Sequence, residues 1–151
     1  MSFTGFTNTT IGYLKDLAAN NNKEWFENNR ETYEVHLLSP LRQLSTSLGI
    51  VIMSIDKEIE IAPNVNKTIS RIYRDIRFSN DKSPFRTDQW LTFRRPNKQW
   101  GNVPEFYFYF TPEEYQYGMG FYAATSQNMK LIRSHLSALL PLVVSKQAKA
   151  H

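Results

Sequence analysis

At 151 residues, with 41% hydrophobic and 14% aromatic content, the chain can bury one core and is too apolar to stay disordered. Cysteine is absent, which excludes a disulfide framework, a thiolate metal site and a cysteine nucleophile, and fits a reducing, cytoplasmic setting. The net charge of +4 is uneven: residues 67–95 carry eight Lys and Arg against three Asp, a local field that attracts phosphates, nucleic acid or acidic partners. No apolar stretch approaches the roughly 18 residues a bilayer span needs and the N-terminus lacks a signal-peptide pattern, so a soluble protein with no membrane association is expected.

The first third reads helical. Ile11, Leu14, Leu17 and Ala18 recur at helical spacing after Thr10, the predicted N-cap, and the asparagine run 20–22 stops that helix. Asn21 and Glu24 are spaced as a capping box for a second helix, whose apolar stripe is Trp25, Phe26, Tyr33 and Leu37. Pro40 opens a third, with Leu41, Leu44, Leu48, Val51, Ile52 and Ile55 on one face. Beyond Pro63 the pattern changes to strands, predicted over 68–78, 88–95, 104–111 and 115–123. A last helix is predicted from Ser126 to Leu140, ended by Pro141. Together these make a single α+β domain over residues 1–151: an antiparallel sheet of about four strands, packed by N-terminal helices and one C-terminal helix.

The hairpin can be read in more detail. With residues 111–114 as the turn, Phe110 faces Tyr115, Phe108 faces Tyr117 and Phe106 faces Met119, giving one core face shared with Phe121. The other face carries Tyr107 and Tyr109 beside Gln116, Gly118, Gly120 and Tyr122, with Gly118 across from Tyr107. A glycine inside a strand leaves room for something to approach: a closely packed helix, a bulge, or a ligand on a tyrosine floor.

The densest charge lies in residues 71–86, RIYRDIRFSNDKSPFR. As a strand it would put Ile72, Arg74, Ile76 and Phe78 on one face and Arg71, Tyr73, Asp75 and Arg77 on the other. Arg74 is then expected to be mostly buried and paired with Asp81 or Asp88, because an unpaired buried charge costs several kcal/mol.

Residues 20–34 (NNNKEWFENNRETYE), 71–87 (RIYRDIRFSNDKSPFRT) and 106–133 resemble, in order, the signature blocks of a mostly bacterial family, domain of unknown function 2461. The resemblance covers nearly the whole chain and brings no activity with it. Members of that family are longer, so it implies a domain incomplete at its C-terminus.

Read from the residues, the expected function is recognition of a small anionic ligand, phosphorylated or carboxylated. Arg71, Arg74, Arg77, Lys82 and Arg86 would bind it over the Tyr107 and Tyr109 floor, since guanidinium forks suit phosphate and carboxylate. The plainer account is that Arg–Asp pairs brace the sheet. Asp75 and Asp81, with Tyr73, are the candidates for a general base or a hard-cation site, although neighbouring arginines would depress both carboxyls. His36, His135 and His151 are scattered, so no histidine metal site is expected, and no G-x-S-x-G, P-loop or G-x-G-x-x-G occurs. Nucleic-acid binding is the main alternative, with Phe78, Phe85, Trp90, Phe93 and Trp100 interleaved among the cations. Phe78 and Phe93 fall on predicted core faces, however, and no nucleic-acid-binding motif occurs. A non-enzymatic partner-binding module, anchored by Trp25 or Trp100, is the third reading.

Overall fold

The computed structural model describes residues 2–96 and 103–147. Helix α1 (Asn8–Ala19) begins one turn earlier than the predicted cap. Thr7 is the N-cap, and Thr10 stands at the third helical position, where the two threonines close a reciprocal capping box. Asn22 caps α2 (Lys23–Asn28) by accepting from the Trp25 amide at 2.9 Å. The neighbouring Asn21 does different work. Its side-chain amide bonds both backbone groups of Phe85, each at 3.0 Å, and so ties the cationic loop to the α1–α2 corner.

Pro40 does not start a new helix. From α3 (Arg30–Tyr33) the backbone stays helical through a π-turn (Glu34–Leu38) into α4 (Ser39–Ile55). A proline has no N–H for the carbonyl four residues back, here that of His36. The hydroxyl of fully buried Thr10 donates to that carbonyl at 2.7 Å, so α1 completes the bonding of the long helix.

The sheet has three antiparallel strands in the order β1 (Gln89–Phe93), β2 (Glu105–Phe110) and β3 (Tyr115–Gly120). The expected fourth strand, 68–78, does not form. Residues 68–70 run beside β1, with one bridge at Ile69 and Leu91 and bonds Thr92 N–H to Thr68 O and Ser70 N–H to Trp90 O. The chain then leaves the sheet and pairs with its own continuation, Arg74 N–H to Pro84 O at 2.9 Å and Arg86 N–H to Ile72 O at 2.7 Å. Asp75 and Asp81 drive this departure, each accepting from the backbone amide two residues ahead. Phe78, expected in the core, is therefore 95% exposed.

The hairpin register is the predicted one: Phe110 with Tyr115, Phe108 with Tyr117, Phe106 with Met119 and Tyr107 with Gly118. Its core face is covered only in part. The helices and Phe6 bury Leu91, Phe93 and Phe110 and partly cover Phe106 and Phe108, whereas Tyr115, Tyr117 and Met119 on the edge strand stay exposed. Phe26 and Phe85 stack at 4.2 Å and close the core beneath the loop, while Trp25 packs beside Tyr13. The last helix, α5 (Ser126–Gln147), runs on through Pro141 instead of ending there. Trp100 lies outside the described residues. Among the described residues no helix is long and apolar enough to cross a membrane.

Candidate functional site

Strand alternation sends the odd-numbered residues of β2 away from the helices. Across the three strands they form rows: Trp90, Tyr109 and Gln116; then Thr92, Tyr107 and Gly118; then Glu105 and Gly120, with Arg94 just past the end of β1. All of these except the two glycines floor a cavity of 820 Å³ rimmed by Lys67, Thr68, Ser70, Arg71 and Tyr122. Among the described residues none of α5 lines it. A Cβ on Gly118 would stand 3.3 Å from the Tyr107 hydroxyl, so this glycine admits the Tyr107 ring, whereas Gly120 faces open space. The wall turns at Asn66, whose φ of 67° is a left-handed value that asparagine tolerates.

The cavity is polar at its margins. Lys67 pairs with Glu60 at 3.1 Å, and Arg71 is exposed on the rim. Burial lifts the Tyr109 hydroxyl above its ordinary pKa, with Asp88 adding to the shift as charge and hydrogen-bond partner. Burial also raises the Glu105 carboxyl, against the opposing charge of Arg94. Glu105 Oε2 is buried with no hydrogen-bond partner among the described residues.

Of the residues expected to bind ligand, the structure brings Arg71, Tyr107 and Tyr109 together here. Arg74 and Arg86 line a separate cavity of 360 Å³ with Asp81, Ser83 and Asp88. There Arg74 is ion-paired with Asp81, and the Arg86 guanidinium lies 4.7 Å over the Trp90 ring and 4.0 Å from Asp88. Arg77 and Lys82 line neither cavity. Arg77 is clamped on Asp75 at 2.6 and 2.9 Å, and Lys82 donates to the Ile76 carbonyl at 3.0 Å. Arg74 is also less buried than the strand reading implied, with 26% of its side chain exposed, because the segment has left the sheet.

Asp75 and Asp81 are exposed, and both carboxyls are held far below the ordinary range. Arg77 is the main cause at Asp75, and Ser83 followed by Arg74 at Asp81. Such groups are poor proton acceptors near neutrality. Tyr73 is half-exposed, packs against Phe85 and Phe26, and lies within hydrogen-bonding reach of Arg30. Among the described residues no group of three or more His, Asp or Glu could hold a metal ion.

Glu105, Lys67, Trp90, Thr92 and Arg94 also line this site and are not among the residues expected to bind the anion. Glu105 was legible, since the alternation that pairs Tyr107 with Tyr109 also includes residue 105. Lys67 and Arg94 were not, because only the pairing of 68–70 with β1 brings them together.

Fold and cavity define an α+β protein with a tyrosine-floored cleft on the sheet face turned away from its helices. A family model described as a conserved hypothetical protein (DUF2461) matches residues 9–141, and the chain belongs to that family. No curated protein and no solved structure matches it.

Proposed function

We propose that the protein binds a small anionic ligand in the cavity between residues 66–71 and the outer sheet face. The supporting observation is the lining itself: Lys67, Arg71 and Arg94 around a floor of Tyr107, Tyr109 and Trp90, in a volume of 820 Å³ that suits a metabolite. Arg71 is the principal anion contact in this reading. Arg74, Arg77 and Lys82 hold the 71–86 loop in shape, where the plainer reading above had Arg–Asp pairs bracing the sheet, and Arg86 supports Trp90 from beside the floor.

A thermal-shift series with inorganic phosphate, sulfate, dicarboxylates and phosphorylated metabolites tests this. A ligand at about one hundred times its Kd stabilises by about 2.7 kcal/mol, a Tm shift of roughly 5–10 °C for a domain of this size. Arg71→Ala is expected to abolish the shift and Arg77→Ala to preserve it. Equal shifts in both variants would move the site elsewhere.

A further inference from the structure

The cavity is polarised along β1. Ser70 bonds to Trp90, so Arg71 stands at the Trp90 end, whereas Glu105 stands beside Arg94 at the other. The four-residue step from Trp90 to Arg94 spans about 13 Å at about 3.3 Å per residue. Along this length lie the flat rings of Trp90 and Tyr109, partly buried, and of Tyr107, exposed.

We infer that the ligand is a guanine nucleotide, its phosphate on Arg71, its base on the aromatic floor and its N1–H and 2-amino donors on the Glu105 carboxylate. This deepens the anion-binding reading and rests on it. A phosphate alone would use one end of so long a site and leave the aromatic floor empty. A nucleoside monophosphate reaches from phosphate to the far edge of its base over a comparable length, and a base stacks on any aromatic face. The orphaned Glu105 oxygen selects among bases. Glu105 lines the cleft, and its Oε2, closed to solvent and without a partner among the described residues, gains one when the carboxylate turns toward a ligand that presents two adjacent N–H donors, one to each oxygen. Guanine presents such a pair on its Watson–Crick edge, whereas adenine offers one amino donor beside an acceptor nitrogen that would face the carboxylate.

Isothermal titration of the parent, Glu105→Gln and Arg71→Ala with GMP, IMP, AMP, inorganic phosphate and a guanine-rich single-stranded oligonucleotide tests the assignment. GMP is expected to bind the parent at least about tenfold tighter than AMP, and tighter than IMP, which lacks the 2-amino group. Glu105→Gln should erase that preference while leaving phosphate binding unchanged, and Arg71→Ala should weaken GMP and phosphate together. The GMP–IMP comparison in the parent needs no variant to fold. Phosphate binding without a guanine preference would overturn the Glu105 assignment and spare the anion site. No response to phosphate or any nucleotide would overturn both. Tight binding of a guanine-rich single strand with none of GMP would replace the free nucleotide by nucleic acid.

Discussion

Glu105 and the two aspartates of the cationic loop respond to pH in opposite senses. Burial holds the Glu105 carboxyl above its unfolded pKa, so its contribution to stability is fully present below the unfolded value and is lost as pH rises through the folded one. Arg94 on the β1 side opposes that shift. Glu105→Gln removes the titration. Its Tm is therefore expected to exceed that of the parent at about pH 7 and to match it at about pH 4, as read by parallel thermal melts. A parent more stable than the variant at about pH 7 would mean that the carboxylate has a partner in the fold. Asp75 and Asp81 behave the other way: their depressed carboxyls stabilise above the unfolded pKa, and that stability is lost as pH falls through the folded one. Both are exposed, so Arg74→Ala, which frees Asp81, is expected to shift Tm no more than an ordinary surface substitution.

At the scale of elements, the contact between Thr10 and His36 tests how the long helix survives Pro40. Thr10→Val keeps the shape and removes the hydroxyl, taking this donor from the part-buried carbonyl and opening the α1 capping box. A loss of about 1–3 kcal/mol in denaturant melts is expected, with Thr10→Ser nearer the parent. An unchanged Thr10→Val would mean that water or a shifted helix takes up the carbonyl. The hairpin was legible in advance because a short turn and strict alternation fix its register, and Gly118 opposite Tyr107 followed from that. Gly118→Val is accordingly expected to push the Tyr107 ring off the floor and weaken ligand binding more than stability. The segment 68–78 was misread for a definable reason. Its alternation is genuine, but the aspartate turns at 75 and 81 offer the backbone local partners that compete with the sheet. Pro141 misled in the same manner, as a local breaker that the surrounding helix overrides.

For the molecule as a whole, five of the eight cations over residues 67–95 already have acidic partners. Lys67, Arg74, Arg77, Arg86 and Arg95 each stand within ion-pair distance of an acidic side chain, with Glu58, Glu60 and Asp56 drawn in from before the segment. Sequence counting could not foresee those three partners, because the approach of the α4 C-terminus and residues 58–60 to β1 is tertiary. A polyanion that competes for paired cations gains less than the count suggests, and each phosphate it neutralises contributes only about 0.7–0.9 to the logarithmic salt slope. Oligonucleotide binding is therefore expected to be weak at physiological salt, with a slope near that of one or two contacts. Fluorescence titrations of single-stranded and duplex oligonucleotides across a salt series measure it. A slope corresponding to five or more contacts, with sub-micromolar affinity, would require the ion pairs to open together and would make the basic surface, rather than the tyrosine-floored cavity, the functional face of the protein.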